Sequence, residues 1–274
     1  MTCAWTEFLA LLPPWLRPEV DKSGRETLRE LRLRLGEGPE LVGGTSRFLS
    51  RRVNREDLTY VLNGASRYSP WAAASVAEGY LTIPGGHRMG LCGEVVVKDG
   101  IVTALRTCTS MCIRVARDFP GLAQKAAGLE GSILILGAPG SGKTTLLRDL
   151  IRQRSRKMAV GVVDERGELF PEGTFFAGER TDVLSGCPKP LGLDRLLRTM
   201  GPKCIAVDEI TSREDCQGLL RAGWCGVSLL ATAHAAGKRD LLTRPVYGSL
   251  VETHLFDHIL TVLPDQRWIE EDGQ

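Results

Sequence analysis

The sequence predicts an α/β protein: a sheet covered by helices in residues 121–274, preceded by a smaller α+β domain in residues 1–120. Three observations carry this. From residue 121 onward, near-continuous apolar runs (SILILG, MAVGVVD, KCIAVD, VSLLATAH) alternate with helical segments, the pattern of parallel strands buried on both faces. A glycine-rich stretch, Gly137 to Thr144, joins the first of these runs to an amphipathic helix. In the first half, LRELRLRL instead alternates Leu31, Leu33 and Leu35 with Arg32 and Arg34, as a strand with one buried face does.

Taken in order, the N-terminus MTCAWTEFLALLPPWLRP lacks a basic leader and breaks its apolar run at Pro13-Pro14, so it does not read as a secretion signal. After the Leu/Arg strand, a helix is expected from about Asn54, whose side chain can cap a first turn containing Glu56 and Asp57. Short β-rich runs follow, punctuated by Gly85-Gly86 and by Asp99-Gly100; the latter favours a tight hairpin because both residues tolerate positive φ. This α+β domain ends near Pro120. Beyond it come a strand at Ile133 to Leu136 and a helix with Leu146, Leu147, Leu150 and Ile151 on one face. The three later strands end in Asp164, in Asp208-Glu209 and in His234.

Composition narrows the function. Lys and Arg number 35 against 33 Asp and Glu, a net charge of +2 that is too balanced to imply a nucleic-acid or anionic-membrane partner. The clusters Arg47/Arg51/Arg52/Arg55 and Arg152/Arg154/Arg156/Lys157 read as solvated helix faces. No apolar segment approaches the roughly 20 residues that span a bilayer, so a soluble, intracellular chain is expected. The 8 cysteines form no CxxC pair and read as reduced and mostly buried. His254 and His258 could share a helix face, but no third ligand lies nearby to complete a metal site.

Gly137-Ala138-Pro139-Gly140-Ser141-Gly142-Lys143-Thr144 matches G-x-x-x-x-G-K-[ST] in full, in the required strand-to-helix context. Glycines let successive backbone N–H groups turn toward phosphate oxygens, and the helix start adds favourable partial charge. Lys143 then supplies charge to the β and γ phosphates of ATP and Thr144 a hydroxyl to Mg²⁺, with Thr145 as a neighbouring hydroxyl. Asp208 is the expected magnesium-side acid and Glu209 a candidate to polarise water. A second acidic group, Asp164-Glu165-Arg166-Gly167-Glu168, supplies Glu165 and Glu168 as further water-directing candidates if its strand end opens on the same crevice. His234 completes the cluster as a γ-phosphate sensor.

These residues, with GYLTIPGGHRMGLCGEVV, RTDVLSGCPK and LLRTMGPKCIAVDEI, resemble the stage III sporulation AA family of the secretion-ATPase superfamily, which includes the type II and type IV secretion motors. The resemblance covers most of the chain. It implies a RecA-like phosphate-loop ATPase domain working in a ring, a homo-hexamer, at the base of a channel between mother cell and forespore. It also implies a cytoplasmic location in the mother cell, partners among the other stage III sporulation membrane proteins, and membrane contact only through them. The family's acidic box falls on Asp164 to Glu168, with Glu168 as its water-activating glutamate, and its histidine box on Thr232 and His234. Arg88, Arg106 and Arg114 are the positions to test as arginines given to a neighbour's ATP. The chain departs from the pattern at Thr211-Ser212, where a small residue such as glycine is expected, and at Ala235-Ala236.

The leading reading is thus a Mg²⁺-dependent ATPase. A nucleotide-gated assembly scaffold with negligible turnover is the alternative, and a RecA-like DNA-processing ATPase is a third, disfavoured by an aromatic content of 6%.

Overall fold

The computed structural model describes residues 1–66, 72–171, 174–263, 265 and 267–272. The chain divides into two compact units, Met1–Asp118 with Pro171–Thr174, and Phe119–Phe170 with Phe175–Gln274.

The first unit carries strands β1 (Glu30–Arg34), β2 (Glu40–Val42), β3 (Ser46–Phe48), β4 (Tyr80–Ile83), β5 (His87–Lys98) and β6 (Ile101–Arg114) in one antiparallel sheet of order β3-β2-β1-β6-β5-β4. Its helices are α1 (Trp5–Ala10), α2 (Arg17–Asp21), α3 (Arg55–Ser66) and α4 (Ala72–Ala77). Leu31 and Leu33 of β1 point into a core with Phe8, Leu12, Leu16, Met89 and Ile113, while the intervening arginine Arg32 stays at the surface side and pairs with Glu30. The α3 start is a reciprocal cap: Asp57 N donates to Asn54 Oδ1 (2.8 Å) and Asn54 N to Asp57 Oδ2 (3.0 Å). Asp99 and Gly100 turn β5 into β6 with φ of 51° and 77°, the left-handed pair a tight hairpin requires. The β-rich runs flanking this turn are long strands rather than short ones, paired from Arg88–Arg114 out to Lys98–Ile101.

The second unit holds β7 (Ile133–Leu136), β8 (Val160–Asp164), β9 (Thr181–Ser185), β10 (Cys204–Ile210), β11 (Ser228–Ala233), β12 (His258–Val262) and β13 (Trp268–Asp272), in the order β13-β12-β7-β11-β10-β8-β9. All neighbours are parallel except β12 and β13. Its helices are α5 (Lys143–Ser155), α6 (Lys189–Thr199), α7 (Arg213–Trp224), α8 (Lys238–Thr243) and α9 (Gly248–Glu252). Period-two alternation sends Leu134, Leu136, Val163, Ile205, Val207 and Leu229 to a face covered by Leu193 of α6 and Leu219 of α7. Their neighbours Ile133, Ile135, Val160, Val162, Ala206 and Leu230 go to the other face, under Leu146, Leu147, Leu150 and Ile151 of α5. Each such buried side chain contributes about 1.5–3 kcal/mol, so two covered faces explain why these strands read as continuous apolar runs.

Three sequence expectations are corrected here. The cysteines are free but not mostly buried: Cys204 and Cys216 are, whereas Cys92 and Cys225 are exposed and the others lie in between. Arg152 and Arg154 are not a solvated face: both are buried, Arg152 against Asp149 (3.1 Å) and Arg154 donating to the carbonyls of Leu129 (2.7 Å) and Gly131 (2.9 Å). A guanidinium can leave water where its donors meet carbonyls or a carboxylate, as Arg154 does on the loop entering β7 and Arg152 on Asp149. His254 and His258 do not share a helix either. Helix α9 ends at Glu252, His254 adopts φ 49° in the turn that buries Phe256, and His258 opens β12 with Nδ1 at 2.7 Å from Glu270.

Candidate nucleotide site

Parallel strands deliver all their carboxyl ends to one edge, and the order β7-β11-β10-β8 sets four of those ends side by side. Although β8 follows α5 in the chain, β11 and β10 stand between it and β7.

From β7 the backbone enters the glycine-rich loop. Gly137 is buried, and a Cβ there would lie 2.6 Å from Ser141 Oγ and 3.0 Å from Val262 O, so no side chain fits. Gly140 and Gly142 adopt φ of 74° and 106°, and the exposed Ala138 and Pro139 form the loop's outer turn. Ser141 N donates back to Ala138 O (3.2 Å). Ser141 Oγ is buried without a hydrogen-bond partner among the described residues. An orphaned hydroxyl inside a curled loop, next to the unpaired N–H groups of a helix start, suits an anion with several acceptor oxygens. The residues therefore fit a nucleotide's phosphates.

Lys143 is buried, and its Nζ donates to Gly137 O, Ala138 O and His234 Nδ1, each at 3.0 Å. Burial lowers its ammonium below the usual lysine range, against the opposing pull of the Asp208 and Glu209 charges. Because the lysine can only donate, His234 Nδ1 accepts, which leaves the Nε2 hydrogen facing Glu209 Oε1 at 2.9 Å. The other Glu209 oxygen lies 3.7 Å from Arg166. Lys143, His234, Glu209 and Arg166 thus form one polar chain across the strand ends.

Thr144 Oγ1 donates to Asp208 Oδ2 at 3.1 Å, bringing together the two residues predicted to hold magnesium; Thr145 stands half-buried beside it. Asp208 and Glu209 lie where the β10–β11 register slips, between Val207 and Ile210. Such a bulge re-aims side chains, and here Glu209 takes φ 37°, an uncommon conformation for a residue with a long side chain. Thr232 secures it: fully buried on β11, its hydroxyl donates to Asp208 Oδ1 (2.8 Å) and accepts Glu209 N (2.9 Å). Loss of water raises the Asp208 carboxyl above its ordinary range; the Thr232 and Thr144 hydroxyls draw it down, and the charges of Asp164 and Glu209 push it up.

After β8, buried Asp164 folds its own loop, accepting Glu168 N (2.8 Å), Leu169 N (3.1 Å) and Phe170 N (2.9 Å). Burial raises its carboxyl, and the Phe170 and Leu169 N–H groups, with Arg148 and the Gly167 N–H, oppose that. Arg148, buried in α5, donates to the carbonyls of Leu169 (2.6 Å) and Glu168 (2.9 Å) and lies over the Phe175 ring. Glu165 and Glu168 line a small cavity that they share with Asp164, Arg166, Lys189, Asp208 and Glu209. Arg166 reaches across from this turn to Glu209.

Sequence reasoning missed Lys189 and Arg148; it placed Thr232 in the histidine box but not as the hydroxyl that bridges Asp208 and Glu209. The Thr211-Ser212 departure has a physical purpose: Ser212 caps α7, accepting Asp215 N at 3.0 Å, while Asp215 accepts Ser212 N at 3.2 Å. At the second departure, Ala235 is buried and Ala236 N donates to Asp240 (2.8 Å). In the first unit, Arg88 and Arg114 are cross-strand neighbours, Arg88 lying over Tyr80 and Arg114 near Glu30 (3.4 Å), and Arg106 pairs with Glu94 (3.2 Å). Among the described residues no helix is long and apolar enough to cross a membrane.

The family model described as sporulation stage III, protein AA, matches residues 15–268. Stage III sporulation protein AA of Bacillus subtilis is 38% identical over 252 residues, covering 85% of this chain and 81% of that protein. Among solved structures, the ATPase DotB of Legionella pneumophila superposes with a TM-score of 0.58 at 20% identity, covering 94% of this chain and 79% of that one. The pilus retraction motor PilT with bound ADP gives 0.59 at 17% identity, covering 89% and 76%. At these identities the two superpositions establish a shared fold.

Proposed function

For a chain that belongs to the sporulation stage III, protein AA, family, we propose Mg²⁺-dependent ATP hydrolysis as the activity, performed by a homo-hexameric ring that drives the stage III sporulation channel from the mother-cell cytoplasm. The observation that carries the reading is the joining of Lys143, Thr144, Asp208, Glu209 and His234 through hydrogen bonds at the end of three strands, beside an orphaned loop hydroxyl.

In this reading the loop from Gly137 to Thr144 holds the phosphates, and Lys143 exchanges its two loop carbonyls for phosphate oxygens. Thr144 and Asp208 hold Mg²⁺, which when bound draws charge off the phosphates. Glu168 and Glu209, which both line the acid-rich cavity, orient the attacking water, with Glu165 alongside. Because His234 contacts both Lys143 and Glu209, a change at the lysine is passed to the acid and on to Arg166. Domain movement in the ring, arginines such as Arg88, Arg106 or Arg114 given to a neighbour, and recruitment by stage III membrane proteins extend the same proposal.

The test couples turnover to native mass, with and without ATP and Mg²⁺. Lys143→Ala is expected to abolish nucleotide binding, whereas Glu168→Gln and Glu209→Gln are expected to keep binding and lose turnover, one of them by about 100-fold or more. A wild-type chain that stays monomeric in every condition removes the ring. If sporulation survives loss of both glutamates but not of Lys143, the chain is a nucleotide-gated scaffold and the motor reading is wrong.

A further inference from the structure

Lys189 is a cation buried among acids. It opens α6 and is 6% exposed, and its Nζ pairs with Glu165 Oε2 and lies 3.8 Å from Asp215 Oδ2. The two carboxylates come from different strand ends. Glu165 directly follows β8. Asp215 belongs to the first turn of α7, where its Oδ2 accepts Thr211 N (2.9 Å), Thr211 Oγ1 (3.1 Å) and Ser212 N (3.2 Å), so it folds the turn by which the chain leaves Asp208-Glu209.

Lys189 also lines the cavity shared by both acidic segments. That cavity offers about 20 Å³, room for a single water molecule. Of its seven lining residues five are acids, and the cations are Arg166 and Lys189; the Arg166 side chain is 45% exposed and that of Lys189 7%. A buried ammonium is tolerated only where carboxylates face it, and separating either carboxylate from it would leave an uncompensated charge. The ion pairs therefore tie the β8 turn to the β10 turn.

We propose that Lys189 is a positioning residue for water attack. It clamps the Glu165 turn to the Thr211-Ser212 turn, and so fixes the spacing of Glu168 and Glu209 across a one-water cavity. The inference rests on the ATPase reading above. Lys189 has no part in holding the phosphates, so its loss should act on the rate and not on binding.

The experiment compares wild type, Lys189→Met and the double variant Lys189→Met/Glu165→Gln in steady-state ATP hydrolysis with Mg²⁺, in binding of a fluorescent ATP analogue, and in thermal melting. Lys189→Met is expected to lower kcat about 100-fold while KM and analogue affinity stay within about threefold, the split that misplacement of a reacting group produces. Removing the Glu165 charge in the double variant relieves the unpaired acid, so melting recovers toward wild type while kcat stays low, below that of a Glu165→Gln single variant measured beside it. Recovery of kcat in step with melting would make Lys189 merely structural and overturn the inference, as would a single variant that turns over like wild type. A wild-type chain that binds the analogue without turnover sinks the ATPase reading itself, and the inference with it.

Discussion

Replacing Thr232 by valine keeps the shape of a fully buried side chain and removes only the hydroxyl that binds Asp208 Oδ1 at 2.8 Å and Glu209 N at 2.9 Å. A hydrogen bond to a charged carboxylate contributes about 1.5–3 kcal/mol. The Glu209 N–H keeps a second acceptor, Asp208 Oδ1 at 3.1 Å, so its share of the loss is below about 1 kcal/mol and the sum is about 2–3 kcal/mol. For a unit of this size that corresponds to a fall of about 5–10 °C in melting temperature. The sign of the pH dependence follows from the carboxyl. Burial holds Asp208 above its ordinary range and Thr232 draws it back, so valine moves it further up. Below the folded-state pKa both proteins carry a neutral Asp208 and converge; as pH rises the deficit opens. Melting in EDTA at about pH 5 and about pH 8, with Thr232→Ser as the hydroxyl-retaining control, measures it. A valine variant that melts within about 1 °C of wild type at the higher pH, or whose deficit widens on acidification, refutes the role given to this hydroxyl.

Further outcomes follow from other sites. Gly137→Ala places a Cβ 2.6 Å from Ser141 Oγ and 3.0 Å from the Val262 carbonyl, an overpacking worth about 1–3 kcal/mol that should also abolish binding of a fluorescent ATP analogue; retained affinity contradicts the loop assignment. Asn54→Ala opens the reciprocal cap of α3 and is expected to cost about 1 kcal/mol, read from urea unfolding. His87 is fully buried, with Nε2 donating to Ala4 O and Nδ1 accepting Ala116 N, and burial lowers its pKa from 6.5. A neutral ring held this way stabilises above the unfolded pKa and loses its contribution as pH falls through the folded one. The stability gap between wild type and His87→Gln should therefore narrow on acidification, and an unchanged gap would show that the ring is not held neutral.

What could be read from the sequence follows burial and spacing. Four parallel strands were legible because both faces are covered, which makes them apolar without interruption. β9, β12 and β13 were not: Thr181–Ser185 is an edge strand with an irregular burial pattern, and Trp268–Asp272 carries three consecutive acids at the sheet's other edge. Asn54 and Asp99-Gly100 were legible because a cap and a tight turn are local. Within the candidate site, Thr144 and Asp208 are 3.1 Å apart and could be anticipated from motif and strand end. Lys189 could not, since its carboxylates are reached only by folding, and one lysine beside two prolines carries no periodic or motif signal. For the same reason Arg154 looked solvated: its carbonyl partners, Leu129 and Gly131, lie more than a helix away in the chain.

The positive φ at Glu209 sets a trap for engineering. Glycine or asparagine would occupy that backbone conformation with less strain, by about 1 kcal/mol. A library sorted for expression or heat resistance would therefore enrich replacements there, and yield tougher proteins stripped of the acid that links His234 to Arg166. Position 209 is one where improvement measured by folding and improvement measured by work point in opposite directions.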